Sequence, residues 1–206
     1  MYTFLVDHFH WPIALGVWPP YVIPFLSIYV WTRRGERNNR QRAARHDAHD
    51  ADRGSWLFID YGSKAARLIA LGAAVVTPPW VTGSAQLLMY ATGLAAMVAG
   101  AFIRRRCFAA LGVDFTYTVK VSAAQAIVQT GPYRWVRHPS YTGGLLYNVG
   151  IGLVLTNLLS VVVLLVTMLA VYAYRIPVEE NALLALHGER YRQYMRSTKR
   201  LVPFLF

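Results

Sequence analysis

LIALGAAVVTPPWVTGSAQLLMYATGLAAMVAGAFI, residues 68–103, runs for 36 residues without a charged side chain. As one helix it would reach about 54 Å, against roughly 30 Å for the hydrocarbon core of a bilayer. It must therefore fold back on itself. Thr77-Pro78-Pro79-Trp80, followed by Gly83-Ser84, supplies the turn, because proline cannot continue a helix and glycine-serine favours a loop. The stretch reads as a hairpin of two membrane spans, about Ala66 to Pro78 and Ser84 to Ile103. Gly93, Ala96 and Gly100 give the second arm small residues for close helix approach, the last two at small-xxx-small spacing.

Outward from this hairpin the pattern repeats. Upstream, Trp11 to Trp31 is uncharged over 21 residues and has tryptophan at both ends, where an amphipathic ring prefers the membrane interface. Pro12, Pro19, Pro20 and Pro24 predict an irregular helix, kinked near Pro19. Met1 to His10 has Asp7 and no basic residue, unlike a signal peptide, so this block is expected to stay in the membrane. Downstream, Thr142 to Tyr174 is uncharged over 33 residues and turns at Thr156-Asn157. Its first arm holds Gly143, Gly144, Gly150 and Gly152; its second, Leu158 to Ala173, is a β-branched and leucine run suited to lipid. The fold class is an all-α integral membrane protein with about five spans.

Composition agrees. Of 206 residues, 55% are hydrophobic and only 15% charged, which excludes an ordinary soluble domain and a disordered chain. The net charge of +11 raises nucleic acid as a partner, and the positions of the basic residues answer it. Nine lie in Arg33 to Arg67, six in Arg104 to Arg137 and six in Arg175 to Arg200, which is all 21. Five spans put these segments on one face, which the positive-inside rule makes cytoplasmic, with the N-terminus outside. Topology thus accounts for the charge without nucleic acid. The run from Arg33 to Arg45 also suits anionic headgroups, at about 1 kcal/mol per basic residue. The single Cys107 excludes a disulfide framework or a cysteine-pair metal site. His46, Asp47, His49, Asp50 and Asp52 sit in a polar loop with no apolar support to hold a geometry, so no metal site is expected.

The chemistry concentrates in Gln129 to Tyr141, QTGPYRWVRHPSY. Arg134 and Trp135 suit an interfacial anchor. Arg137, His138 and Tyr141 do not, because Pro139 bends the chain at His138 as it enters the bilayer, and irregular backbone there lines a pocket. At the end of the last span comes Arg175-Ile-Pro-Val-Glu179-Glu180. Arg175 and Glu179 share a helix face and can pair; alternatively the two carboxylates take a cationic ligand or the arginines of the earlier motif. Beyond them Leu183, Leu184, His187, Tyr191, Tyr194 and Met195 form one apolar arc opposite Asn181, Glu189, Arg192, Gln193 and Arg196. That predicts an amphipathic interfacial helix roofing the pocket.

Gly131-Pro-Tyr-Arg-Trp-Val-Arg-His-Pro-Ser-Tyr-Thr-Gly143, Arg175-x-x-x-Glu179-Glu180-x-x-Leu183, His187-Gly-Glu-Arg-Tyr191-x-x-Tyr194 and Arg200-Leu-Val-Pro203 together resemble the isoprenylcysteine carboxyl methyltransferase family and related membrane phospholipid methyltransferases. The resemblance covers about residues 115–206, dividing the chain into an N-terminal part, 1–114, of spans and basic loop, and a methyltransferase core. It implies methyl transfer from S-adenosylmethionine to a lipophilic acceptor, such as the carboxylate of a prenylated cysteine, at the cytoplasmic membrane face. By resemblance the cofactor contacts fall on Gln125, Ala126, Ile127, Val128, Tyr133, His138, Pro139, Ser140, Tyr141 and Glu179, while Arg175 is linked to the acceptor. Gln125 departs from the family, standing where a histidine is familiar. Arg137 and Glu180 join the cofactor set by residue type, since the cofactor carries a carboxylate, an amino group and a sulfonium. Arg175 and Glu179 are the expected catalytic residues. A carboxylate acceptor needs no base; a thiol, phenol or amine would need one, with His138 and Glu180 the candidates.

Two other readings compete. A membrane steroid-type reductase binding NADPH resembles this chain in its helical hairpin, but typically has Pro-Asn-Tyr-x-Gly-Glu where this chain has Pro139-Ser-Tyr-Thr-Gly-Gly144. A membrane scaffold without enzymatic activity would use the aromatic-basic motif only as an anchor.

Overall fold

The computed structural model describes residues 54–77, 81–112 and 126–202, together with positions 26, 30, 49–50 and 120–121. The described chain is helical: α1 (Ser55–Val76), α2 (Ser84–Leu111), a 3-10 turn (Gly131–Arg134), α3 (Pro139–Val154), α4 (Leu158–His187) and α5 (Glu189–Ser197). Two short strands, β1 (His49–Asp50) and β2 (Lys120–Val121), pair antiparallel. Apart from positions 26 and 30, both helical, the expected span Trp11–Trp31 lies outside the described residues, as do Pro78 to Trp80 and Gln125. Of the histidine and acid cluster in the basic loop, only the backbone of His49–Asp50 is described.

Both expected turns join helices, but only α3 and α4 pack arm on arm; α1 packs on α4 and α2 on α3, so the first pair is not a packed hairpin. The first arm of that pair is longer than its uncharged stretch, because α1 starts at Ser55 and not near Ala66. Its extra turns carry Lys64 Nζ on Asp60 Oδ2 at 2.6 Å, an i,i+4 pair that stabilises a helix locally. The second hairpin turns at Thr156-Asn157, as the sequence predicts. Asn157 caps α4 by accepting from Ser160 N at 2.9 Å, and donates to Thr77 Oγ1 at 2.7 Å, tying this turn to the end of α1.

Packing follows small residues. A Cβ at Gly100 would lie 2.5 Å from the Gly143 carbonyl, and one at Gly93 2.7 Å from the Val154 nitrogen, so α2 and α3 touch backbone to backbone. Gly150 meets Gly93 in the same way, at 2.7 Å. The seam therefore uses the seven-residue step Gly93 to Gly100, and Ala96, assigned to it by spacing, is only partly buried. Ala66, Ala70, Met97, Ala101, Tyr147, Ile151 and Leu164 join all four long helices in one core. The outer faces are apolar: Leu68, Val76, Leu88, Phe102 and Val166 are exposed. This inside-out distribution suits lipid. Both α2 and α4 are long and apolar enough to cross a membrane.

At about 45 Å, α4 outruns the hydrocarbon core. It continues through Pro177 to His187, and Gly188, at φ 56, ends it in a conformation that favours glycine. The single amphipathic helix read from the sequence is thus two pieces, the end of α4 and α5. Within α5 the predicted faces hold, with Tyr191 and Tyr194 buried and Arg192 and Arg196 exposed.

Candidate active site

Three elements meet at the end of α3. Pro139 occupies its first turn, where a missing N–H costs nothing, and His138 precedes it at φ −122, ψ 54. The chain after α5 returns alongside: Val136 and Lys199 form a parallel bridge, Arg137 N donates to Lys199 O at 2.8 Å and His138 N to Arg200 O at 3.0 Å. Thr142 Oγ1 donates to Leu201 O at 2.6 Å. Residues 198–201 thereby form a strap across the His-Pro step.

The two glutamates that follow one another in the sequence have different surroundings. Glu180 is buried, and its carboxylate accepts from Arg137 Nε at 2.9 Å, from Arg200 Nε and Nη2 at 3.2 and 3.0 Å, and contacts His138 Nε2 at 3.2 Å. Arg137 also donates to the carbonyls of Met195, at 2.9 Å, and Thr198. The donors of this knot converge on Glu180 and on backbone carbonyls. A carboxylate so surrounded is well compensated for burial, and its neighbours hold the strap, α4 and the His-Pro step together.

Glu179 faces the other way. Its side chain is one-third exposed, Oε2 accepts from the Tyr141 hydroxyl at 2.7 Å, and Oε1 has no partner among the described residues. His138 Nδ1 lies 3.8 Å from Oε2. The two ring nitrogens of His138 thus face different carboxylates, Nε2 towards Glu180 and Nδ1 towards Glu179. Tyr141 in turn accepts from Arg175 Nε at 3.2 Å. Arg175 and Glu179 therefore do not pair directly; Tyr141 stands between them. Arg175 is buried and also donates to Ser55 Oγ of α1.

Aromatic rings pack behind this chain. His138 stacks on Tyr141 at 5.6 Å, and Tyr141 on Tyr172 at 4.8 Å. Gly144 makes this possible, because a Cβ there would lie 2.4 Å from the Tyr172 hydroxyl and 3.2 Å from Arg104 Nη1. Tyr133 is buried beneath the turn, its carbonyl accepting from the Tyr194 hydroxyl at 2.6 Å. Burial, with a smaller contribution from nearby Cys107 and Glu179, holds the Tyr133 phenol well above its ordinary pKa, and burial pushes Tyr194 up to about 12. Both stay neutral and offer hydroxyls, not bases. Ser140 is half-buried beside them, and residues 126–128 lead into the turn without regular structure. Trp135 is half-exposed, with the Arg134 guanidinium 4.4 Å over its ring.

The structure thus brings Tyr141, Arg175 and Glu179 into one hydrogen-bonded chain with the His138 ring stacked on it, and gathers Arg137, Glu180 and His138 Nε2 into an adjoining knot. Sequence reasoning did not find Ser55, a serine at a helix start that reads as a cap, or the contact of Arg200 with Glu180. Arg200 stood inside a quoted motif, which was the available signal.

A helical bundle with a glycine seam between α2 and α3 and this polar chain at one end defines the class. Residues 91–185 match the model of the isoprenylcysteine carboxyl methyltransferase (ICMT) family, which bears out the resemblance read from the sequence where the two overlap, over 115–185. Among individual relatives, the chain is 36% identical over 115 residues to protein-S-isoprenylcysteine O-methyltransferase A of Arabidopsis thaliana, covering 55% of this chain and 58% of that one. It is 32% identical over 117 residues to protein-S-isoprenylcysteine O-methyltransferase of Mus musculus, covering 56% and 41%. The matches therefore span between about two-fifths and three-fifths of these relatives' lengths. The solved structure of a eukaryotic intramembrane Ras methyltransferase ICMT superposes with a TM-score of 0.58 at 23% identity, over 71% of this chain and 52% of that one. That likeness is one of fold.

Proposed function

We propose that this protein transfers a methyl group from S-adenosylmethionine to the carboxylate of a lipophilic acceptor of the S-prenylcysteine kind, at the cytoplasmic face of a membrane. The observation that carries the reading is Glu179: a half-open carboxylate beside a buried guanidinium, with one oxygen uncommitted among the described residues. S-adenosylmethionine, when bound, supplies an activated methyl group on a cationic sulfur. Glu179 holds the cofactor's amino group, assisted by residues 126–128, Tyr133, Ser140 and the His138–Tyr141 stack. Gln125 belongs to the same proposed set.

Methyl transfer to a carboxylate is an in-line displacement by a group that is already nucleophilic, so it asks for orientation and exclusion of water. Arg175, fixed by Tyr141, orients the acceptor carboxylate. His138 and Tyr133 act as donors and packing surfaces, with no proton to remove. Arg137 and Glu180, assigned to the cofactor by residue type, serve it through the knot that fixes His138. The acceptor's apolar part reaches the site from the bilayer, past exposed apolar helix faces. The whole chain has five spans, an outside N-terminus and the division at 114/115.

Position 144 favours this reading over the reductase. This chain has glycine where the reductase pattern has glutamate, and a side chain there would have to displace the Tyr172 hydroxyl and the Arg104 guanidinium. The test is methyl transfer from labelled S-adenosylmethionine to N-acetyl-S-farnesylcysteine by purified protein, with NADPH binding as the competing measurement. Labelled methyl ester supports the proposal; saturable NADPH binding without methyl transfer supports the reductase.

A further inference from the structure

α1 begins with an anomaly. A serine at the start of a helix ordinarily turns its hydroxyl to the free backbone N–H groups of the first turn. Here the capping position is Gly54, at φ 74, and no side chain caps the helix. The hydroxyl of Ser55, fully buried, instead accepts from Nη1 of Arg175, across 120 positions of sequence. The same guanidinium donates through Nε to Tyr141 at 3.2 Å. A guanidinium is a rigid plane, so bonds from different nitrogens constrain its direction as well as its position.

We propose that Ser55 is a positioning residue for the methyl acceptor: from the first turn of α1 it aims the Arg175 guanidinium at the acceptor carboxylate. The inference rests on the methyltransferase reading and adds a component from the N-terminal part of the chain. Ser55 lies outside residues 91–185, the segment matched to the family, so the resemblance assigns it nothing.

The surroundings separate this role from a merely structural one. α1 is attached to α4 independently of the hydroxyl: Ile59 packs against the cluster that Met168, Val171, Tyr172 and Ile176 form with Leu201. The rings of Phe58 and Tyr174 lie 5.1 Å apart, and Gly62 lets Val171 approach to 3.1 Å from the place of its missing Cβ. Removing one hydroxyl leaves these contacts in place. Arg175 keeps its bond to Tyr141 and loses one of the contacts that set its direction. The loss therefore falls on acceptor recognition, and cofactor binding at Glu179 is spared.

The experiment uses the full chain in lipid nanodiscs, with S-adenosylmethionine, N-acetyl-S-farnesylcysteine and the methyl ester of that compound as probes. Ser55→Ala is expected to raise the KM for the free acid by about tenfold, the worth of one charge-assisted hydrogen bond. Affinity for S-adenosylmethionine and for the ester, which has no carboxylate, stays unchanged, and Ser55→Thr restores the KM. An active wild type with a Ser55→Ala variant indistinguishable from it overturns the role of Ser55 alone. So does a Ser55→Ala variant that weakens acid and ester equally, or a wild type that binds both equally. A wild type that neither binds S-adenosylmethionine nor methylates the acid overturns the underlying reading, and this inference with it.

Discussion

Glu180 accepts a hydrogen bond from Arg137 Nε at 2.9 Å, and both side chains are almost completely withdrawn from solvent. The preceding carboxylate, Glu179, stays one-third open, so neighbours in sequence divide into an enclosed and a half-open carboxylate.

That division is open to mutagenesis. Glu180→Ala leaves Arg137 buried without its carboxylate, a defect of about 3–5 kcal/mol. Thermal unfolding of the purified protein is expected to show a large loss. Arg200→Ala, at a side chain 40% exposed, is expected to cost about 1 kcal/mol or less. Glu179→Ala is expected to unfold like the wild type.

Gly144 permits the Tyr172 hydroxyl and Arg104 to lie over α3. Gly144→Ala is expected to displace Tyr172 from its stack on Tyr141 and to lower methyl transfer, while the protein still inserts into membranes. Activity assays and membrane fractionation check the two halves of this expectation.

The seam between α2 and α3 predicts a stability effect remote from the site. Gly150→Ala drives a methyl group against the Gly93 carbonyl and the Met97 nitrogen, backbone atoms that cannot yield without parting the helices. The expected cost is about 1–3 kcal/mol, read by thermal unfolding. At Gly72, where a Cβ meets nothing, Gly72→Ala is expected to be neutral or slightly stabilising.

The proposed topology is testable because Cys107 is buried and gives a low labelling background. Cysteine introduced at exposed Arg192 is expected to react with a membrane-impermeant maleimide only after cells are opened. Cysteine at Thr82, in the turn before α2, is expected to react in intact cells. The reverse pattern overturns the orientation.

The two turns were legible in the sequence because 36 and 33 uncharged residues exceed one membrane crossing, and proline and asparagine mark them; that α1 packs on α4 and α2 on α3 was not, since a turn does not say which helices pair. The site motif was legible because Pro139 forces a bend beside ionisable groups. The start of α1 was not, since its first turns carry Asp60, Lys64 and Arg67 and their helicity depends on packing against α4. Periodicity likewise ran Leu183 to Met195 into one helix, because an apolar arc is insensitive to a single glycine; the positive φ of Gly188 decides the break. The separate fates of Glu179 and Glu180 follow from one hundred degrees of helix rotation and from the strap at residues 198–201, neither of which local pattern discloses.

The central claim, that Glu179 faces the cofactor while Glu180 braces the site, is tested most directly by titrating purified wild type and Glu179→Gln with S-adenosylmethionine. Saturable binding by the wild type, weakened about 10- to 100-fold in Glu179→Gln at unchanged thermal stability, is the predicted result. Equal affinity in the two proteins, or no binding by a folded wild type, contradicts it.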